Sequence, residues 1–436
     1  MRWSSRGPII ALLVALAGCS GGGSTSTPSA IATPTPVVPP LTNFATLIVD
    51  SGPTAAVGGV RTYVGDDIPY VTLTICAPDT TTCQTIDHVV VDTGSVGLRI
   101  LASVLNPSMI AALPQQKDDS ANPVAECLAF VDGYAFGSVR FVDFKIGGEA
   151  VANMPMQIIG DGDRFAAVPA SCSAGGGTRL AAVKDIGGNG ILGIGVTTTD
   201  CGTRCTVTGG SSAAAYYDCP PTGCVNIIAR AATTIAPFQQ LPNPVAAMAV
   251  DNNGSIISLP AVPDSGARTL TGTLYFGIGT QTNNALGAAT VVTTSSSAAG
   301  SAGLFTVVYK AASLTNSFID SGSNSYFFTD SAITACADTN LKGYYCPPTP
   351  LSLALVIQGR NGTNATVALP LFDAKPLLLG ANAAVPGIGA DPSATASLKP
   401  VPRSFDLGLP FFFGRNVYIG IEGRAAGTAT GPFFAF

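Results

Sequence analysis

The 436-residue chain contains a single histidine, His88, and charged side chains make up only 11% of it. One imidazole cannot supply a multi-histidine metal site. As the base of a catalytic triad it would need an exposed nucleophile that no motif marks. His88 precedes Asp92 by four positions on an apolar run, which predicts a partly buried strand residue. There is no basic excess either: the formal net charge is −5, so nucleic acid is not an expected partner. A dinucleotide fingerprint is present only formally. Gly188-x-Gly190-x-x-Gly193 lacks the preceding strand and following helix that such a cradle requires. With those chemistries set aside, acid–base work falls to carboxylates. What the chain does have is turn formers, with 50 glycines and 32 prolines, and this composition predicts an all-β protein.

Two stretches stand out. His88-Val-Val-Val-Asp92-Thr93-Gly94-Ser95 is a β-branched run that delivers an aspartate and then turns through glycine. Phe318-Ile319-Asp320-Ser321-Gly322-Ser323 repeats it far downstream. The repeat predicts two similar β-rich lobes, each contributing one carboxylate to a cleft between them. Two carboxyls held close together cannot both ionise easily, so they share a proton. Such a pair can activate a water with one member and donate to a carbonyl oxygen with the other. Gly94 and Gly322 let backbone N–H groups approach the carboxylates, and Ser95 and Ser323 can hydrogen-bond their outer oxygens. A third Asp-Ser-Gly at 264–266 follows a proline-broken run and is expected to be a turn.

Read in order, Tyr70–Ile75 and Thr85–Val91 are expected as a hairpin around a Cys-closed loop. A short helical stretch is expected near 107–113. Asp132-Gly133 marks a hairpin turn, and strands are expected at 141–146 and 154–159. Residues 246–259 are expected as paired strands around Asn252-Asn253-Gly254. Asp330-Ser331 is expected to cap a helix running to about Asn340. Arg99, close in sequence to Asp92, is expected to lower the pKa values of the carboxyl pair.

The N-terminus reads as a targeting segment, since Arg2 and Arg6 precede an apolar run too short to span a bilayer. The run ends Leu16-Ala17-Gly18-Cys19, which resembles a bacterial lipobox. That resemblance implies a signal peptide over 1–18, lipidation of Cys19 and, because Ser20 follows, the outer membrane. Residues 19–42 are rich in Ser, Thr, Pro and Gly and read as a flexible tether. The other ten cysteines form an even set, which in an exported chain implies up to five disulfides. Cys76–Cys83 and Cys336–Cys346 are local candidates, with Cys127–Cys172 left by elimination. Cys201, Cys205, Cys219 and Cys224 allow three pairings, and the sequence does not choose. A zinc site there fits poorly without a histidine, so no metal is expected.

The two motifs resemble those of pepsin-type aspartic peptidases, in the form of bacterial, DUF3443-like lipoproteins, over about Tyr70 to Tyr418. Ile191-Leu192-Gly193 matches the apolar-apolar-Gly that follows in the first lobe of that family, and Asp406-Leu407-Gly408 matches it less well in the second. The resemblance implies a bilobal, pepsin-like acid protease fold, with one lobe over 43–265, carrying a Cys-rich insert at 196–226, and the other over 266–436. It implies a lipid-anchored endopeptidase, with Asp92 and Asp320 catalytic and Thr93 and Ser321 tying the two loops together. No cofactor is implied, and the substrate would be an extended peptide or unfolded protein. A monomer is expected, anchored at the cell envelope and facing periplasm or surface. The family's Tyr-Gly flap pair is missing, which leaves Tyr134 as the flap candidate, and so is the Trp that many members carry after the first Asp. These departures keep a second reading open, a catalytically silent surface lipoprotein that binds an extended peptide or glycan.

Overall fold

A computed structural model describes residues 42–53, 66–205, 215–226, 239–299, 301–394 and 400–436. The expected signal peptide, Cys19 and all of the tether before residue 42 lie outside them, as does part of the Cys-rich insert. The described chain has the expected all-β, bilobal architecture, with two β-rich lobes facing each other across a cleft.

The first lobe is built around Cys83–Asp92, a strand whose valines Val89 and Val91 are fully buried. It runs antiparallel to Pro69–Cys76, and the Cys76–Cys83 disulfide closes their turn. On its other side it is parallel to Gly190–Ile194, with Val90 opposite Ile191 and Asp92 opposite Gly193. Val96–Leu101 pairs with that same strand and continues into Glu149–Ile159. The Asp132-Gly133 turn joins Val124–Ala129 to Gly133–Ile146. This second strand is one uninterrupted element, where the sequence suggested two. The helical stretch forms as Pro107–Ala112, with proline at its first turn, where a missing N–H costs nothing.

The second lobe repeats the plan. Phe305–Tyr309 and Ala312–Ile319 form a hairpin, and Ala312–Ile319 is parallel to Asp406–Leu407, with Phe318 opposite Asp406. Behind the lobes the first strand, Phe44–Val49, pairs with Leu270–Phe276, which continues through Gly254–Leu259 and Arg415–Gly420 to Phe433–Ala435. Residues from both ends of the chain thus share one sheet. The largest buried cluster joins the two lobes, from Leu73 and Val91 to Ile319 and Phe405. The boundary expected at 265/266 falls in the connection between Gly254–Leu259 and Leu270–Phe276, where Asp264-Ser265 forms the expected turn.

Two local expectations fail. Residues 246–252 are turns and bends, not a strand, because Asn243 organises them: its side-chain oxygen accepts from Val245 N–H and its carbonyl from Ala247 N–H. No helix forms over 330–340. There the Cys336–Cys346 disulfide and the Ala335–Tyr345 bridge draw the chain into a closed loop, leaving one short turn at Thr339–Leu341 capped by Asp338. Five disulfides form among the described residues, and the open cluster resolves as Cys201–Cys205 and Cys219–Cys224, alongside Cys127–Cys172. Such cysteine usage belongs to exported proteins. Among the described residues no helix is long and apolar enough to cross a membrane.

Candidate active site

Each lobe ends its central strand at an aspartate, and the two carboxyls meet. A methyl group added at Gly94 would lie 2.7 Å from Asp320 Oδ2, and one added at Gly322 would lie 2.9 Å from Asp92 Oδ1. Each glycine therefore packs on the opposite lobe's carboxyl, where no side chain fits. Asp92 Oδ1 accepts from Gly94 N–H at 2.8 Å and Ser95 N–H at 3.2 Å, and the Ser95 hydroxyl donates to Oδ2. Asp320 Oδ1 accepts from Gly322 N–H at 2.8 Å, and the Ser323 hydroxyl donates to its Oδ2 at 2.9 Å.

Beneath the carboxyls the loops grip each other. The Thr93 hydroxyl accepts from Ser321 N–H at 2.9 Å and donates to the Ile319 carbonyl at 3.3 Å. The Ser321 hydroxyl accepts from Thr93 N–H at 3.1 Å and donates to the Val91 carbonyl at 2.7 Å. Both side chains are buried, so the four bonds satisfy groups that water does not reach. The grip fixes the spacing of the two aspartates.

Burial, followed by the charge of Asp92 and a hydrogen bond with it, holds the Asp320 carboxyl well above the ordinary range, against the opposing Gly322 and Ser323 donors. Asp92 receives three donors, one more than Asp320. The pair lines a cleft of about 1100 Å³, larger than the roughly 300–1,000 Å³ of small-molecule sites. Its walls are mainly apolar, with Val90, Leu128, Phe130, Leu304 and Phe318 among them.

Several sequence-based placements change. Arg99 does not face the carboxyl pair. Leu98 and Ile100 fill the core, so the strand's period of two sends Arg99 to the opposite face. There, fully buried, it pairs with Glu126 at 2.5 Å and lies 3.8 Å from Asp200. Burial and then Glu126 push the Asp200 carboxyl well above its usual range, and the Tyr216 hydroxyl donates to it at 2.9 Å. Tyr134, the flap candidate, does not line the cleft but packs beside Phe136, Phe165 and Tyr217. The hairpin residues that do line it are Leu128 to Asp132. His88 is a half-buried strand residue, as expected, hydrogen-bonded to Asp50 at 3.2 Å. Among the described residues, Cys336, Cys346 and Asp373 lie within metal-ligand reach of one another, but both thiols are spent in a disulfide. Among the cleft residues that the sequence reading did not single out is Asp406, whose buried carboxyl lines the cleft with the pair. Its signal was the poor match of Asp406-Leu407-Gly408 to an apolar-apolar-Gly pattern.

Residues 40–436 match a family described as "Protein of unknown function (DUF3443)". No curated protein matches the chain. Among solved structures, an aspartic proteinase from Irpex lacteus is 14% identical, with 90% of this chain and 96% of that one covered and a TM-score of 0.48.

Proposed function

The chain belongs to the DUF3443 family, and we propose that it is an aspartic endopeptidase that hydrolyses peptide bonds with a water activated between Asp92 and Asp320. The observation that carries this reading is the reciprocal packing of Gly94 on Asp320 and Gly322 on Asp92, which sets the two carboxyls side by side. In the proposed step Asp92 takes a proton from the water as its oxygen attacks the scissile carbonyl carbon. Asp320 gives its proton to the carbonyl oxygen, forming a gem-diol. The diol then collapses: one of its hydroxyls returns a proton to Asp320 while the proton taken up by Asp92 passes to the leaving nitrogen, the C–N bond breaks and both carboxyls regain their starting states. Thr93, Gly94, Ser95, Ser321, Gly322 and Ser323 hold the pair in place. The long apolar cleft suits an extended peptide or unfolded protein. We further propose that the signal over 1–18 is cleaved and that Cys19 carries a lipid, anchoring a monomer to the bacterial cell envelope at the outer membrane.

The flap favours a second reading. Its tip, Phe130-Val131-Asp132, carries no tyrosine, so a cleft that binds an extended peptide or glycan without cutting it is the competing function. Incubating the disulfide-bonded protein with an unfolded protein from pH 3 to 7, and reading cleavage by mass spectrometry, separates the two. Cleavage abolished by Asp92→Ala and by a transition-state-mimicking inhibitor is the expected result. A folded sample that cuts nothing at any pH would leave the binding function standing.

A further inference from the structure

We propose that the hairpin lining the cleft beside the carboxyl pair is a fixed roof and not a lid: the Cys127–Cys172 disulfide and a strand along each of its edges hold it still, so the cleft is preformed once that disulfide has closed. The consequence for hydrolysis rests on the peptidase reading, but the fixed roof does not.

The hairpin pairs Val124–Ala129 with Gly133–Ile146, and its end, Leu128 to Asp132, lines the cleft together with Asp92 and Asp320. A two-stranded hairpin standing alone is marginal in water, and an element with few contacts opens at little cost. This one does not stand alone. On one edge Tyr216–Asp218 runs antiparallel to it, with Tyr216 opposite Glu126 and Asp218 opposite Val124, and Cys127 N–H donates to the Ala215 carbonyl at 2.7 Å. On the other edge Thr178–Arg179 runs parallel to Gly133–Tyr134. There Thr178 N–H donates to the Asp132 carbonyl at 3.2 Å and Leu180 N–H to the Tyr134 carbonyl at 2.8 Å. Two glycines permit that second edge. A methyl group at Gly133 would run into the Thr178 carbonyl, and one at Gly177, where φ is +87°, would lie 2.9 Å from Gly133 Cα.

The disulfide fastens the same place. The strand's period of two sets Leu128 toward the cleft and Cys127 away from it. Cys127 is buried with Phe136, Phe165, Cys172 and Tyr217, and its bond to Cys172 ties the hairpin to the segment that leads into Thr178–Arg179. The Ser171 and Tyr217 hydroxyls, hydrogen-bonded at 2.9 Å, join that segment to the strand on the opposite edge. Hairpin, both bracing strands and disulfide therefore form one plate. Beyond the brace, Leu180 and Ile186 line the cleft as well. The long hairpin of the second lobe, Leu351–Gln358 with Asn364–Leu371, has neither device. Its second strand is the outer edge of its sheet, and among the described residues no disulfide reaches it.

Closing the disulfide takes two protons and two electrons from the two thiols and gives them to a disulfide oxidant, which leaves as two thiols. A chain that is still reduced carries the hairpin unfastened. Hydrolysis is thus withheld until the chain reaches an oxidising compartment.

The test is hydrogen exchange read by mass spectrometry on the disulfide-bonded protein, which needs no activity. We expect residues 128–134 to be protected in the ligand-free protein. In Cys127→Ser/Cys172→Ser they should exchange roughly 100-fold faster, while the strand Cys83–Asp92 keeps its protection. Removing a disulfide remote from the roof, by Cys76→Ser/Cys83→Ser, should leave 128–134 unchanged. Gly133→Ala, which keeps every disulfide and displaces only Thr178–Arg179, should speed the same amides roughly tenfold. Binding of a reduced and alkylated unfolded protein should weaken by about the same factor in the Gly133 variant, and cleavage should fall with it. Rapid exchange of 128–134 in the wild type would overturn the proposal, as would exchange there that neither roof variant alters. If the cysteine variant loses protection in Cys83–Asp92 as well, it has unfolded and the Gly133 variant decides. Failure of the peptidase reading would show separately, as absence of cleavage with the exchange differences intact.

Discussion

The two aspartate loops share one backbone plan and differ in what stands behind it. Each delivers its carboxyl at the end of a strand, receives a donor from the glycine two residues on, and holds its outer oxygen with a serine hydroxyl. Behind Asp92 are apolar Ile191 and a further backbone donor from Ser95. Behind Asp320 is the buried acid Asp406. A near-symmetric pair would be indifferent to which member holds the proton. The extra donor stands on one side and the extra acid on the other, and burial, followed by the charge of Asp92, holds the Asp320 carboxyl above the ordinary range. Pseudo-symmetry thus supplies the proximity of the pair, and its local breaking makes the two surroundings unequal.

The severest way to break the comparison is to remove one carboxyl at a time. Asp92→Asn and Asp320→Asn should each reduce cleavage of an unfolded protein by roughly 10²–10⁴-fold, and the double variant should lose little more, because the two act as a unit. Rates measured at several pH values, on samples whose folding is verified, check this. A variant of either aspartate with near wild-type rates would end the dyad reading.

The second asymmetry is a buried ion cluster in the first lobe. Arg99, Glu126 and Asp200 sit together in the first lobe. Arg99→Met removes the one cation and strands the carboxyls, and should cost about 3–5 kcal/mol of stability, read as a fall in the denaturation midpoint. Because the guanidinium does not face the pair, the pH profile of the surviving activity should stay in place. A profile that moves would show that Arg99 reaches the dyad after all.

The grip between the loops is the most symmetric part, and it can be tested as such. Thr93→Ala and Ser321→Ala each leave buried N–H and C=O groups without partners, and each should cost about 1–3 kcal/mol. The two changes should not add, because each side chain bonds to the other loop's backbone. Chemical denaturation of both single variants and the double one measures the coupling, and strict additivity would mean that the loops are held by something else.

These elements also differ in how far the sequence disclosed them. The strands that carry Asp92 and Asp320 were legible because a β-branched or apolar run, an aspartate and a glycine are all local signals. The grip and the disulfides Cys76–Cys83 and Cys336–Cys346 followed from short spacings and from resemblance. Arg99 was misread because closeness in sequence says nothing about which face of a strand a side chain leaves by, and only Leu98 and Ile100 in the core decide that. The helix expected after Asp330 failed because its capping signal was real but short-range: Asp330 does accept from Ala332 N–H, yet a disulfide closes the loop before a helix can propagate. Tyr134 is the flap candidate because the hairpin lacks a Tyr-Gly pair, and packing takes it to the Phe136 cluster. Asp406 was visible only as a blemish in a pattern, since its meaning depends on pairing with a strand almost ninety residues earlier.

The mildest test concerns the position four residues before each aspartate. In the second lobe it is Asn316, whose side-chain amide donates to the Pro402 carbonyl at 2.8 Å. In the first it is His88, hydrogen-bonded to Asp50. The Asp50 hydrogen bond raises the His88 pKa, against the opposing effect of burial. Burial works against the Asp50 carboxylate too, but the His88 bond outweighs it with help from Gly52, and the Asp50 pKa falls below its usual value. The sign follows from linkage. A raised histidine contributes stability that is fully present below its unfolded pKa of about 6.5 and is lost as pH rises through the folded value. A depressed aspartate contributes stability that is fully present above about 3.9 and is lost as pH falls through its folded value. The pair is therefore worth most between roughly pH 4 and 6.5, and as a partly exposed ion pair it is worth about 1 kcal/mol or less. His88→Asn, which makes the lobes alike here, should lower thermal stability most near pH 5 to 6 and least above neutrality. A deficit that stays constant from pH 5 to 9 would mean that His88 contributes packing against Tyr70 and no charge.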